Sequence, residues 1–478
     1  MKVGLEIHGY LNCAQKLFCT CTIDPNSTPN TNICPICTAQ PGSKPMLPNK
    51  QALHHVIAIG LFFNCKINTR LQFQRKHYNW PDLPTGYQRT MSGAYSTPTA
   101  EDGTFLGINI REIHLEEDPA RWDPGTGLVD YNRSGYPLVE IVTEPDFTSI
   151  EQVTEWLEQL FTALSYINTI NPSAGIKCDV NINIEGHPRV EVKNVNSFTS
   201  IAAAIAYEIK RQETATKEER IQQTRAFDAR TGVTSYMRSK ENAQEYRFIP
   251  EPDLPIILII DEDTARIAAS LPETPTTKFE RYLKRSVDPV DAKTISSNVA
   301  LAELFDAILA LQEKNKTHTT HDNTNNTTEN TAQKNNDAKN IGHWFRRDIM
   351  NILNTTANAL SRDDVERKKQ PLNTWFTLVF NNAISAPTAK ELLAKVLLEE
   401  IDAEQYAKQH DLFITSDNTL IEQLCKQIIA QNEKSVQEYK EGNEKAFNNL
   451  VGAVMTTVKG KASPQEVAKT MKQMLDER

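Results

Sequence analysis

The chain has 478 residues, 39% of them hydrophobic, enough for two or three domains that each bury a core. A formal net charge of −9 and a sequence pI of about 5.7 exclude a general electrostatic footprint for nucleic acid, which leaves such contacts to local basic patches. The longest apolar runs, "VIAIGLFF" and "LPIILII", fall short of the roughly 20 residues of a membrane helix, and Glu6 interrupts anything like a signal sequence. A soluble, cytoplasmic protein with no membrane partner is expected.

Residues 1 to 285 alternate short strand-like runs with Gly/Pro/Asn turns and a few helices, the texture of one large α+β domain. The first run, "VGLEIHGYL", sets Val3, Leu5 and Ile7 on one face of a strand and Glu6 and His8 on the other. Next come Cys19-x-Cys21 and Cys34-x-x-Cys37. Eight cysteines in so long a chain are no disulfide framework, and two close thiol pairs joined by a Pro/Asn/Thr loop suit a closed, structural zinc knuckle. Buried or redox-active cysteine pairs are the alternative.

Further along, "INIREIHLEED" reads as a strand with Glu112, His114 and Glu116 on one face and Arg111, Ile113 and Leu115 on the other. "PLVEIVTEPD" places Glu140 and Glu144 on a common face. Carboxylates gathered from three strands repel unless neutralised, and an oxygen-rich set with one imidazole suits Mg²⁺ or Mn²⁺. Pairing of each acid with Arg111, Arg133 or Arg189 is the alternative.

A helix is expected over 150–167, opened by a Ser149/Gln152 capping box, and another over about 199–212. Between them "CDVNINI" and "RVEVKNV" predict a hairpin whose Val180, Ile182, Ile184, Val190 and Val192 alternate with Asp179, Asn181, Asn183, Glu191 and Lys193. Period and chemistry put Asp179, Asn181 and Lys193 on a polar face near a bound nucleotide or RNA end. Beyond 285 the texture turns helical. The Asn/Thr-rich stretch 315–338 has almost no apolar residue to offset the entropy of ordering and is expected to be a flexible insert. A last helical unit starts near 399, and Lys459, Lys461, Lys469 and Lys472 make it locally basic, with a plain solvated helix face as the alternative.

There is no G-x-x-x-x-G-K-[ST] phosphate loop, no Gly/Ser amidase signature, no Cys/His glutaminase arrangement and no class I synthetase signature. The motifs "VGLEIH", "LFCTC…CPIC", "NWPDLPTGYQ", "REIHLEEDPA", "LVDYNRSGYPLVEIVTEPD", "VEVKNVNSF", "MRSKENAQEYRFIPEPDLP" and "LVGAVMTTVKGKASP" together resemble the GatB/GatE family, the B-subunit type of aspartyl/glutamyl-tRNA amidotransferases. The resemblance spans nearly the whole chain. It implies a cradle-shaped mixed domain over 1–285, a helical domain over 286–398 and a helical tRNA-binding tail over 399–478. It further implies ATP-dependent amidation of misacylated Glu-tRNA(Gln) or Asp-tRNA(Asn), with ammonia from a glutaminase A subunit and a small C subunit alongside. ATP, Mg²⁺ and a structural Zn²⁺ are the implied cofactors. Carried onto this sequence, Glu6, His8, Glu116 and Glu140 hold the Mg²⁺, the strand face favouring Glu116 over Glu117. A non-catalytic tRNA-binding scaffold is the competing reading.

Overall fold

The computed structural model describes residues 1–171, 176–239, 246–319, 327–356, 359–414, 418–440, 443–457, 462 and 464–476. The chain divides into two compact units, Met1–Thr274 and Pro275–Arg478.

The first unit is built on a sheet of twelve strands: β1 (Lys2–Tyr10), β2 (Lys66–Ile67), β3 (Gln74–His77), β4 (Tyr87–Thr90), β5 (Ala100–Phe105), β6 (Ile108–Glu117), β7 (Pro137–Thr143), β8 (Ile176–Asn183), β9 (Val190–Val195), β10 (Gln223–Asp228), β11 (Val233–Ser239) and β12 (Ile249–Pro250). Their order is β11-β10-β9-β8-β1-β7-β6-β4-β3-β12, with β5 and then β2 added alongside β6. The chain thus lays its first strand at the centre, flanked antiparallel by β7 and β8. Val3, Leu5 and Ile7 are fully buried on one face, as alternation predicts. Ile7, Cys178 and Val195 of that face line one apolar cavity together with Leu157, Phe161 and Leu164 of α2 (Ile150–Ile167) and Ile201 of α3 (Phe198–Thr214), so the two helices cover this side. Helix α1 (Lys50–Phe62) packs on β5 and β6. It comes so near that a Cβ on Gly60 would meet the Ala100 methyl at 2.7 Å.

Ser149 caps α2 by accepting from the Gln152 N–H, but the Gln152 amide oxygen returns to the Thr148 N–H rather than to Ser149. The expected box is displaced by one residue. In β6 the alternation also breaks. Val142 faces Glu112 and Thr143 faces Ile110, leaving Arg111 as a bulged extra residue. Ile108 and Ile110 before the bulge and Ile113 and Leu115 after it all reach the core, and Arg111 turns out to solvent rather than siding with Ile113 and Leu115.

The second unit is all helical: α5 (Pro275–Lys284), α6 (Pro289–Ser296), α7 (Val299–Thr319), α8 (Thr327–Trp344), a π-helical turn at Phe345–Ile349, α9 (Met350–Thr355), α10 (Arg362–Phe380), α11 (Ala386–Glu399), α12 (Ala403–Gln409), α13 (Asn418–Gln431), α14 (Glu433–Lys440), α15 (Glu444–Thr457) and α16 (Pro464–Asp476); α4 (Asp261–Ser270) closes the first unit. Phe305, Phe345, Trp375 and Phe376 form an aromatic core between α7 and α10. Ile421, Cys425, Leu450, Val454, Val467, Met471 and Leu475 make a separate one for the last helices. The stretch 315–338, expected to be flexible, is helical where it is described, since α7 runs to Thr319 and α8 starts at Thr327. Among the described residues no single helix is long and apolar enough to cross a membrane. The architecture is a large mixed sheet domain followed by helices, the α+β class expected.

Candidate active site

The sheet face opposite α2 and α3 carries the acids. On it, His8 of β1 stands directly across from Glu140 of β7, and Glu140 directly across from His114 of β6. One row of three side chains therefore crosses three strands. Glu116, two residues beyond His114, brings its carboxylate to 3.7 Å from His8 Nδ1. Ligand atoms of His8, Glu116 and Glu140 all lie within 4.8 Å of one another, and so do those of Glu6, His8 and Asp179. The two triads share His8. The structure thus brings together the four residues expected to hold Mg²⁺, with Glu6 on the side of Asp179 and Glu116 and Glu140 on the other.

Glu117 faces away. Its carboxylate accepts from the Arg89 N–H at 3.0 Å and from Arg89 Nη1 at 3.1 Å. Arg89 in turn meets Glu251 at 3.0 Å, and Glu251 also takes Arg75 at 2.7 Å. The arginine alternative describes these acids well, and it describes Glu144, which Arg111 grips through two bonds of 2.8 Å. Arg133 pairs with Asp118, and Arg189 is exposed. Among the described residues none of Glu6, Glu116 and Glu140 forms an ion pair with arginine or lysine.

Electrostatics follow from that imbalance. Burial disfavours the His8 imidazolium, but Glu140 and Glu116 outweigh burial and push its pKa up to about 9. Burial likewise disfavours the Glu140 carboxylate, yet His114 and His8 hold it well below the usual carboxylate range. The Glu6 carboxyl is raised, first by burial and then by Glu140.

The hairpin β8–β9 supplies the other half of the face. Between Cys178 and Val180 a single residue, Asp179, stands against two on β9, Lys193 and Asn194. This bulge swings Lys193 onto Asp179 at 2.5 Å and Glu191 at 2.8 Å. Burial opposes the ammonium, but Asp179 and Glu191 keep its pKa well above normal. The Asn181 amide donates to Glu6 at 2.9 Å. Asp179, Asn181 and Lys193 are thereby joined to the triad of Glu6 and His8. Sequence reasoning sets His114 on the polar face but gives it no role, although its Nε2 lies 2.8 Å from Glu140; its place directly opposite Glu140 depends on strand pairing that no local motif encodes.

Cys19, Cys21, Cys34 and Cys37 also converge, with all four sulfurs within 4.8 Å. Cys34 and Cys37 Sγ are 3.9 Å apart, near the edge of about 3.8 Å for a tetrahedron with Zn–S bonds of about 2.3 Å. Within the Cys19–Cys37 pair the Cys37 thiol is pulled down, first by the Cys19 thiol and then by the Cys34 N–H and the Lys16 ammonium against the effect of burial, while Cys19 is pushed up, first by Cys37. Ser134 donates to the Cys37 carbonyl at 2.8 Å, tying the knuckle to the loop before β7.

Lys469 and Lys472 are exposed on α16, one turn apart and away from the buried Val467, Met471 and Leu475. Lys459 and Lys461 lie outside the described residues.

The chain matches two family models: the GatB/GatE catalytic domain over residues 1–265 and the GatB domain over residues 326–475. Its curated relatives include a protein from Methanococcus aeolicus named as the B subunit of an aspartyl/glutamyl-tRNA(Asn/Gln) amidotransferase, 37% identical with 100% of this chain and 98% of the relative covered. The same name is carried by a relative from Methanocaldococcus jannaschii, also 37% identical at the same coverage, and by one from Methanopyrus kandleri, 35% identical with 100% and 99% covered.

Proposed function

The chain belongs to the GatB/GatE family, and on that premise we propose that it is the amidating subunit of a tRNA-dependent amidotransferase. It phosphorylates the side-chain carboxylate of Glu-tRNA(Gln) or Asp-tRNA(Asn) with ATP and hands the activated acyl group to ammonia from a glutaminase A subunit, with a small C subunit completing the complex. The order follows from the chemistry: a carboxylate is a poor acyl donor, and phosphate is the better leaving group.

The observation that carries this reading is the convergence of His8, Glu116 and Glu140 beside Glu6, with no arginine or lysine paired to these acids among the described residues. A hard-oxygen set with one imidazole fits a divalent cation, and His8, Glu116 and Glu140, with Glu6 adjoining, would hold Mg²⁺. Bound there, the ion would neutralise phosphate oxygens as charge moves off ATP. The chain's own residues do the rest. Asn181 fixes the Glu6 carboxylate, and Lys193 balances Asp179 and Glu191 while presenting an ammonium on the same face for a phosphate or the substrate carboxylate. Cys19, Cys21, Cys34 and Cys37 would hold Zn²⁺, which would keep the knuckle closed without a part in catalysis. The working modules are the cradle, ending at Thr274 where the helical unit begins rather than at 285, a helical domain to 398 and a tail in which Lys469 and Lys472, with Lys459 and Lys461, contact tRNA phosphates.

The test is ATP-dependent formation of Gln-tRNA from Glu-tRNA by the purified protein given an ammonium salt, with and without partner subunits. Activity that disappears in His8→Ala while tRNA binding and the partner's glutaminase persist supports the reading. ATP turnover unchanged in that variant sinks it in favour of the scaffold.

A further inference from the structure

We infer that His114 is a positioning residue that fixes the rotamer of Glu140 for the cation; the inference rests on the metal reading of the site just proposed. His114 is fully buried, and its ring is anchored from β6, directly opposite Glu140 on β7. Nε2 lies 2.8 Å from Glu140 Oε2. Because the carboxylate can only accept, Nε2 carries the proton in this contact and donates. Among the described residues the buried Nδ1 has no hydrogen-bond partner, the nearest carboxylate being Glu112 at 3.7 Å. The ring therefore makes a single committed hydrogen bond, and that bond goes to Glu140.

Geometry separates His114 from His8, although both flank the same carboxylate. His8 shares close-lying donor atoms with Glu116 and Glu140 and has a partly exposed side chain; His114 belongs to neither triad and is sealed from solvent. A ligand must reach the ion, whereas an orienting group need only hold a ligand still. With Oε2 held by the imidazole N–H, the Glu140 carboxylate is kept in one orientation beside His8 and Glu116. A carboxylate free to rotate would lose that preorganisation, and removal of such hydrogen-bonded supports typically weakens metal binding by about 10–100-fold. The bulge at Arg111 is part of the device. It resets the alternation of β6 so that His114 and Glu116 point to the acid face while Ile113 and Leu115 stay in the core.

The experiment measures Mn²⁺ binding to the full-length protein by the electron spin resonance signal of free Mn²⁺, for the parent and for His114→Gln, His114→Asn and His114→Leu, with melting in EDTA recorded for each. The amide nitrogen of glutamine reaches the position of Nε2; that of asparagine reaches only the position of Nδ1. Binding within about threefold of the parent for His114→Gln, together with a loss of about tenfold or more for His114→Asn and His114→Leu, is the expected result. A purely structural histidine would instead lower the melting temperature in all three and leave the affinity of the folded protein alone. If His114→Leu does not fold, the Gln and Asn pair decides. Parent-like affinity in His114→Asn overturns the positioning role while leaving the metal site standing. A parent protein that binds no Mn²⁺ overturns the metal site, and the positioning role with it.

Discussion

Two clusters of carboxylates gather about one sheet, and they are neutralised in opposite ways. Around Glu117 and Glu251, Arg89 and Arg75 meet the acids at 2.7–3.1 Å, so the charge is closed within the chain. Around Glu116 and Glu140 the nearest partners among the described residues are two histidines and no arginine. Adjacent residues, Glu116 and Glu117, belong to different clusters because a strand sends successive side chains to opposite faces. Within one sheet, then, the acid that points to function is the one the protein leaves without a fixed cation.

Three substitutions test that division. Glu140→Gln keeps the shape and removes the charge, and it should lower Glu-tRNA-dependent ATP hydrolysis by about 10³-fold, the scale of losing one electrostatic contact to a transition state, with melting close to the parent. Single-turnover assays with excess protein check this. Glu251→Ala should do the reverse. It removes the partner that Arg89 and Arg75 share, leaving Arg89 with Glu117 alone and half-buried Arg75 with Asp253, and should cost about 2 kcal/mol of stability, read in urea unfolding, while Mn²⁺ affinity of the folded protein stays within a few-fold. Cys34→Ser removes one of the four sulfurs of the knuckle. It should release zinc, measured by a chromophoric chelator, and lower the melting temperature, with a smaller effect on ATP turnover than Glu140→Gln.

What is legible in the sequence depends on whether its cause is local. The period of β1 announces the split between Leu5 and Glu6, and the spacing of Cys19, Cys21, Cys34 and Cys37 announces the knuckle, because each is set by the chain's own geometry over a few residues. The strand face also separates Glu116 from Glu117. What stays hidden is set by pairing across the sheet. A period-two reading puts Arg111 on the side of Ile113, because a bulge is invisible to it. The contact between Lys193 and Asp179 requires another bulge, one that exists only once β8 and β9 are in register. Helix α7 runs through Lys314 to Thr319 into a stretch with no apolar content, which composition reads as flexible. A helix already nucleated by its buried first turns extends at little cost.

The smallest predicted effect is the strictest control. The same period places Glu140 and Glu144 on one face, and each ends beside a nitrogen donor, His114 for Glu140 and Arg111 for Glu144. Yet Glu144 is partly exposed and gripped by Arg111 in two 2.8 Å bonds, at the surface where such pairs contribute about 1 kcal/mol or less. Glu144→Gln should therefore change stability by under about 1 kcal/mol in urea unfolding, an effect that shrinks further in salt, and should leave Mn²⁺ affinity and ATP turnover at parent values. If Glu144→Gln impaired ATP turnover as much as Glu140→Gln does, the distinction between paired and unpaired acids would fail, since the two substitutions remove the same charge four residues apart and differ only in what that charge had been facing.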